Sequence, residues 1–341
     1  METKIICTLG PSSFSPSILQ KMVKAGMNVV RLNFSHGSYE SHSKMIDMVK
    51  MLNKKYDYAI KILQDLEGYR IRIGLLDSAV EIKRNETIRL TLDQANPKAK
   101  KIPFDYTGLL EDIPLHTELF IDDGRLRLRI MDRETDGLIL KVLQGGIIQS
   151  RKGINIPDLQ LSNLTISAKD QKDIEFGISN NVDYVAQSFV TTAYDIESVV
   201  KPIQSSNNSK CKIYAKIENR AGITNIDSII QSCDGIMVAR GDLGISIPVF
   251  KVPIVQKYII HRCNRFKKSV IIATQMLESM TVSPYPTRAE VSDIANAIFD
   301  RVDFVMLSAE TATGKYPIQC VGMMEKIISF TEKSTLLQPS L

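Results

Sequence analysis

Eight short apolar runs constrain this chain more than any other feature: residues 5–9, 29–32, 60–65, 184–189, 212–217, 235–239, 270–274 and 304–307. They are rich in β-branched residues and show no polar alternation, the pattern of strands buried on both faces of a parallel sheet. Helix-period segments follow most of them. Ser15-Pro16 puts proline at a first helical position. Ser167-Ala-Lys-Asp170 resembles a capping box with aspartate in the place of glutamate. Pro317 opens a last helix that reaches Thr331. Eight strands alternating with helices predict an α/β fold, a (β/α)8 TIM barrel, which takes about 250 residues. A chain of 341 residues therefore leaves room for an insertion.

The insertion announces itself by a change of period. Between residues 75 and 152 the runs become short and alternating, as in Val80-Glu-Ile, Ile88-Arg-Leu-Thr-Leu, Glu118-Leu-Phe-Ile, Arg125-Leu-Arg-Leu-Arg-Ile and Leu138-Ile-Leu-Lys-Val. Half-exposed antiparallel strands read this way, with turns at Asp122-Asp-Gly124 and Thr135-Asp-Gly137. The expected organisation is a barrel built from residues 1–74 and 153–341 with a small β-barrel domain, 75–152, inserted in one loop. Loops on the C-terminal face of such a barrel surround the active site, and Gly74, Gly145, Gly146 and Gly153 flank the insertion, so it is expected to move as a lid.

Composition excludes several function classes. The five cysteines are scattered, odd in number and without C-x-x-C spacing, which argues against a disulfide framework or structural zinc. No signal pattern opens the chain and no apolar stretch approaches the ~20 residues of a membrane helix. A net charge of +5 is too mild and too dispersed for nucleic acid, though it suits small anions. A cytoplasmic protein without membrane or nucleic-acid partners is expected.

The chemistry gathers at strand ends. Arg31 and Asn33-Phe-Ser-His36 follow the second run, Asp65 the third, Ser188 the fourth, Lys216 and Glu218 the fifth, Arg240 and Asp242 the sixth, Thr274-Gln275 the seventh, and Ser308-Ala-Glu310-Thr311 the eighth. A single polar residue after a strand is usually a cap or a solvated loop. Seven in succession, which a barrel places on one face, predict a site. Glu218 and Asp242 are oxygen ligands of the kind a hard divalent cation shares with a substrate phosphate. Lys216 beside them supplies fixed positive charge where negative charge develops. Gly241-Asp242-Leu-Gly244 reads as a turn opening a short helix, whose backbone N–H groups bind carboxylate or phosphate.

Taken in order, these stretches resemble pyruvate kinase. The similarity is carried by Thr3-Lys-Ile-Ile-Cys-Thr-Leu-Gly-Pro-Ser12, Gly26-Met-Asn-Val-Val-Arg-Leu-Asn-Phe-Ser-His-Gly37, Lys216-Ile-Glu-Asn219, Ile236-Met-Val-Ala-Arg-Gly-Asp-Leu-Gly244, Ala273-Thr-Gln-Met-Leu-Glu-Ser-Met280, Pro286-Thr-Arg-Ala-Glu290 and Met306-Leu-Ser-Ala-Glu-Thr311. It covers the chain and is weakest in the insertion. The resemblance implies glycolytic phosphoryl transfer from phosphoenolpyruvate to ADP, giving pyruvate and ATP. It implies Glu218 and Asp242 as ligands of Mg2+ or Mn2+, Lys216 on the phosphoryl group and developing enolate, and Arg31 on the phosphate. Gly241, Asp242 and Thr274 would take the substrate carboxylate, and Thr274 with a water is a plausible source of the enolate's proton. Asn33, Ser35, His36, Arg72 and Lys152 match nucleotide-side positions. Asn33, Ser35, Asp65 and the Leu66 carbonyl match the ligands of a monovalent cation. Such phosphoryl transfer needs positioning and charge neutralisation rather than a protein nucleophile.

Some positions depart from the resemblance. Arg70 stands where potassium-dependent members carry glutamate, so its guanidinium is expected to replace K+. Tyr69 replaces the usual proline at the hinge, and Thr191 stands where an arginine often follows Ser-Phe-Val. Typical members continue into a C-terminal regulatory domain. A short form without it is expected to lack that domain's effector response and to associate as a homo-oligomer through barrel contacts. The sequence leaves two rival functions open: a lyase or aldolase of the pyruvate-binding barrels, and a catalytically weak, binding-only relative.

Overall fold

The computed structural model describes residues 3–93, 100–122, 124–157, 159, 166–206 and 210–334. Eight parallel strands close into a barrel: Lys4–Thr8, Met27–Asn33, Lys61–Asp65, Tyr184–Gln187, Lys212–Ile217, Gly235–Ala239, Ser269–Ala273 and Phe304–Leu307. All eight apolar runs are therefore barrel strands. Closure is made by the first strand pairing with the eighth, Lys4 opposite Phe304 through Cys7 opposite Leu307. The register then sets polar ends side by side, Thr8 opposite Arg31 and Asn33 opposite Asp65.

Because both faces of these strands are covered, two apolar layers form. Ile6, Val29, Leu63, Tyr214, Met237 and Met306 are among the side chains filling the interior. Residues facing outward, such as Ile5, Val30, Ile213 and Ile272, meet the surrounding helices. Each such side chain contributes about 1.5–3 kcal/mol when fully buried. At the N-terminal end Tyr184, Tyr214 and Phe304 pack edge to face, with centroids 5.7–6.2 Å apart. That end of the barrel is thus plugged by rings, and the polar residues collect at the other.

Three strands stop short of their sequence windows, ending at Thr8, Gln187 and Ala273. Phe189 and Thr274 have φ of 56° and 68°, so the extended backbone ends just before each of them. Helix starts follow the caps. Ser15 accepts from the Ile18 N–H at 3.2 Å ahead of helix Pro16–Lys24, and the last helix runs Pro317–Glu332. The expected aspartate capping box at Ser167 is only half made. Ser167 Oγ accepts from the Asp170 N–H at 3.0 Å and donates to Asp170 Oδ2 at 2.7 Å. The shorter aspartate then accepts from the Gly68 N–H at 3.2 Å with its other oxygen, which ties the helix to the segment after the third strand.

Within the insertion, seven strands form one sheet in the order Ile71–Arg72, Gly153–Asn155, Glu118–Ile121, Leu126–Glu134, Gly137–Gln144, Thr87–Thr91 and Lys101–Pro103. Its edges meet at an Ile73–Phe104 bridge, reinforced by the Gly74 N–H on the Pro103 carbonyl at 2.8 Å, so the sheet rolls on itself. Leu126, Leu128 and Ile130 point into a core separate from that of the barrel, while Arg127 and Arg129 point out. The turn at residues 135–136 joins two strands; Asp123 of the other predicted turn lies outside the described residues. The first two strands of the order above, Ile71–Arg72 and Gly153–Asn155, are the two crossings between sheet and barrel. Among the described residues the cysteines are free and buried, and no helix is long and apolar enough to cross a membrane.

Candidate active site

The strand ends converge on one buried group of charges. Lys216 Nζ lies 3.1 Å from Asp65 Oδ1 and 3.2 Å from Glu218 Oε1, and donates to Ser188 Oγ at 2.6 Å. Arg31 reaches the other Asp65 oxygen through Nε at 2.7 Å and gives Nη1 to Thr8 Oγ1 at 3.0 Å. Glu218 Oε2 accepts from the Phe189 N–H at 2.6 Å. Phe189 is in the left-handed region, a conformation that costs about 1–3 kcal/mol and persists where its surroundings hold it. Two cations and two carboxylates therefore share a space in which Asp65 and Glu218 are each only 1 % exposed. Truncating one member of such a group leaves a buried charge uncompensated, at a cost of about 3–5 kcal/mol.

The environment pushes the two carboxyls in opposite directions. Burial raises the Asp65 carboxyl, but Lys216 and Arg31 together outweigh it and hold it below the usual range. Glu218 is raised, chiefly by burial and also by neighbouring Asp242, against the opposing pull of Lys216. Burial alone would lower the Lys216 ammonium; Asp65 and Glu218 overcome it and raise it. Lys216 is thus a cation held in place by carboxylates, not a neutral amine.

Asp242 closes the site from the next strand. It sits in helix Arg240–Ser246, directly after the sixth strand, with Oδ1 3.6 Å from Arg70 Nη2. Beside it Thr274 and Gln275 both have positive φ, a strained pair in which the β-branched threonine is the more unusual. Arg240 clamps that turn, donating to the Thr274 carbonyl at 2.6 Å and the Gln275 carbonyl at 3.1 Å while pairing with Asp293. The clamp holds Thr274 Oγ1 against the Gly241 N–H at 2.9 Å. So the Gly241 donor expected for a substrate carboxylate is already engaged by the Thr274 hydroxyl.

Glu218 and Asp242 line one cavity of about 390 Å³, together with Arg70, Phe189, Asn219 and Arg220. Among the described residues no three acidic, His or Cys side chains are grouped to hold a metal. A divalent ion placed here would find two protein carboxylates, a donor set that fits Mg2+, an ion that retains waters and takes substrate oxygens. It does not suit a structural zinc, which takes four protein ligands.

A second cavity, about 790 Å³, opens at the root of the inserted sheet, and Arg70 borders both. Ser35, His36, Arg72 and Lys152 line it, bringing four of the five predicted nucleotide-side residues to one place. Asn33 instead turns its Oδ1 to the Ser35 N–H at 3.1 Å. The cations here are paired too: Lys152 with Asp122 at 2.8 Å, and Arg72 with Glu67. The atoms expected to hold a monovalent cation are likewise engaged, since the Leu66 carbonyl accepts from Ser188 Oγ at 2.7 Å and Asp65 meets Arg31 and Lys216. Arg70 reaches Asp242. Tyr69 lends its hydroxyl to Thr107, accepting from the Thr107 N–H at 2.9 Å, which pins the hinge to the inserted sheet. Thr191 gives its N–H and hydroxyl to Asp195 at 2.8 and 2.7 Å, capping the following helix.

Sequence reasoning missed Thr8, Glu67, Asp122 and Lys169 as partners. Thr8 ends the first strand and was findable by the strand-end rule already applied to the other seven. Asp122 and Lys169 carry no local signal, because the partners Lys152 and Glu67 lie far from them in sequence, and Glu67 meets Arg72 only through the turn between them.

The family model described as "Pyruvate kinase, barrel domain" matches residues 1–321. The chain is 41% identical over 336 residues to a pyruvate kinase of Geobacillus stearothermophilus, covering 98% of this chain and 57% of that protein. It is 41% identical over 336 residues, with the same coverage, to one of Bacillus licheniformis. To one of Staphylococcus aureus (strain MRSA252) it is 42% identical over 329 residues, 96% of this chain and 56% of that protein. The chain therefore spans little more than half the length of these relatives.

Proposed function

The chain belongs to the pyruvate kinase family, and on that premise we propose that it transfers the phosphoryl group of phosphoenolpyruvate to ADP. The observation that carries this reading is the position of Lys216, a mostly buried ammonium between Asp65 and Glu218 at the barrel mouth, with Arg31 on the far side of Asp65. In the reaction the bond between phosphorus and the enol oxygen breaks, and a β-phosphate oxygen of ADP forms the new bond to phosphorus. The electron pair left behind makes the pyruvate enolate, which takes a proton at its methylene carbon to give pyruvate.

Arg31 and Lys216 hold the phosphoryl oxygens, and Lys216 also meets the enolate oxygen as its charge grows. Both are oriented before substrate arrives, Lys216 by Asp65, Glu218 and Ser188 and Arg31 by Asp65 and Thr8, and such preorganised charge is commonly the largest single contribution to the rate. Glu218 and Asp242 hold the divalent ion, Mg2+ or Mn2+, which when bound neutralises charge on the phosphoryl and enolate oxygens. Thr274 and the Gly241–Asp242 backbone receive the substrate carboxylate, the Thr274 hydroxyl turning from the Gly241 N–H to do so. Arg72, Lys152, Ser35 and His36 meet the nucleotide at the root of the inserted sheet. Movement of that sheet over the mouth excludes water and limits hydrolysis. Arg70 stands for the monovalent cation, so turnover needs little K+. The exposed side chains of Val249, Phe250 and Ile254, at the start of helix Val252–Phe266, support barrel-to-barrel association of two copies.

A coupled assay for pyruvate formation tests the reading. Pyruvate is expected only with phosphoenolpyruvate, ADP and Mg2+ together, and Lys216→Met is expected to abolish it. Pyruvate formed without ADP would point to a lyase. No turnover in a folded wild type would point to a binding protein.

A further inference from the structure

Arg72, the guanidinium assigned to nucleotide, is not waiting free. Its Nη2 is held by Glu67, its Nη1 donates to the Arg151 carbonyl at 3.2 Å, and its backbone N–H goes to Asp105. Glu67 stands in the same cavity wall and its side chain is 16% exposed. A diphosphate cannot take Nη2 without displacing that carboxylate. Left alone, a largely buried carboxylate would oppose both its own desolvation and the incoming anion. The structure supplies a second partner. Lys169 Nζ lies 3.5 Å from the other Glu67 oxygen, and it is anchored by the Phe34 carbonyl and Asp173, both at 2.7 Å. The next residue, Asp170, accepts the Gly68 N–H, so helix Ala168–Asn180 holds both Glu67's neighbour and Glu67's alternative cation.

We propose that Glu67 is a positioning residue that holds Arg72 before nucleotide binds and releases it to the diphosphate, its own charge then resting on Lys169. The proposal deepens the assignment of this cavity to ADP and rests on it. The consequence is that Glu67 and Lys169 act on nucleotide affinity with opposite signs. Without the carboxylate, Arg72 is still oriented by its bonds to Asp105 and the Arg151 carbonyl, and the diphosphate no longer competes for it. Without the lysine, displacement strands Glu67.

The test is ADP binding with Mg2+ by calorimetry, alongside KM and kcat, on the full chain. Glu67→Gln is expected to tighten ADP several-fold and Lys169→Met to weaken it several-fold, while KM for phosphoenolpyruvate stays unchanged in both. In the double variant the Lys169→Met effect is expected to disappear, because no carboxylate remains to be stranded. Weaker or unchanged ADP binding in Glu67→Gln overturns the proposal, as does a Lys169→Met effect that persists in the double variant. These results presuppose a wild type that binds ADP; a wild type that does not bind ADP overturns the cavity assignment itself, and the proposal with it. Circular dichroism melts confirm that each variant is folded, and a merely structural role would shift both variants in the same direction.

Discussion

The barrel mouth and the root of the inserted sheet hold similar charges in different ways. At the mouth, Lys216 touches Asp65, Glu218 and Ser188 at once, and Arg31 shares Asp65. At the root, two acids each hold a cation that ligand could claim: Asp122 with Lys152, Glu67 with Arg72. Exposure differs in step, 11% for the Lys216 and Arg31 side chains against 35% for Lys152 and 27% for Arg72. A buried network whose members share partners cannot give one up cheaply, so it fixes geometry. Pairs whose cations are more open to solvent are weaker and exchange partners more readily. The first arrangement suits chemistry that depends on preorganised charge; the second suits a substrate that must enter and leave.

The sharpest way to break this comparison is to remove a member of each group. Lys216→Met is expected to lower kcat at least about 10²–10³-fold, the cost of deleting one preorganised donor. It should also destabilise the fold measurably, since Asp65 and Glu218 lose their common cation; steady-state rates and denaturant melts check both. Arg72→Ala is expected to leave stability within about 0.5 kcal/mol and to raise KM for ADP roughly 10-fold or more, as for a lost charge-assisted hydrogen bond. Equal losses of stability in the two variants would erase the distinction.

Arg70 tests the boundary between the regions. A Cβ added at Gly153 would lie 2.5 Å from Arg70 Nε, so Gly153→Ala should push the guanidinium away from Asp242. The expected outcome is a several-fold gain in stimulation by K+ over a large organic cation at equal ionic strength. A variant as indifferent to K+ as wild type would remove Arg70 from that role.

The smallest effect expected is on pH. His42 stacks on Phe34 with centroids 4.2 Å apart and meets the His36 carbonyl at 3.0 Å, behind the loop that carries Ser35. Burial holds its imidazole below the usual value, with Lys169 adding to this and the His36 carbonyl and Asp173 opposing it. A histidine depressed in the folded state contributes stability above its unfolded pKa of about 6.5, and that contribution is lost as pH falls through the folded value. Melts at about pH 7.5 and pH 5.5 should show a loss of at most about 1–2 kcal/mol, diminished in His42→Phe. An identical pH response in the variant would assign the effect elsewhere.

The barrel was legible because buried parallel strands leave an unbroken β-branched signature, and because strand-end polar residues repeat with it. That logic reached Arg31, Asp65, Ser188, Lys216, Glu218 and Asp242, which the structure gathers at one mouth, though it passed over Thr8. The inserted strands were legible from period-two alternation. What stayed hidden depends on contacts between elements distant in sequence. Nothing local to Glu67 or Lys169 shows that they meet, and nothing local to Thr274 shows that its hydroxyl would occupy the Gly241 N–H. The strained φ of Phe189 was equally unreadable, since a left-handed phenylalanine is imposed by its surroundings.

The central claim is that the mouth carries the chemistry and the root carries the nucleotide. It is tested most directly by following deuterium exchange into the pyruvate methyl group in D2O with Mg2+ and inorganic phosphate, a step that makes the enolate without any nucleotide. The account predicts exchange in wild type and in Arg72→Ala alike, and none in Lys216→Met, although ADP-dependent turnover is impaired in both variants, through KM for ADP in Arg72→Ala and through kcat in Lys216→Met. Exchange that survives in Lys216→Met, or vanishes in Arg72→Ala, would contradict it.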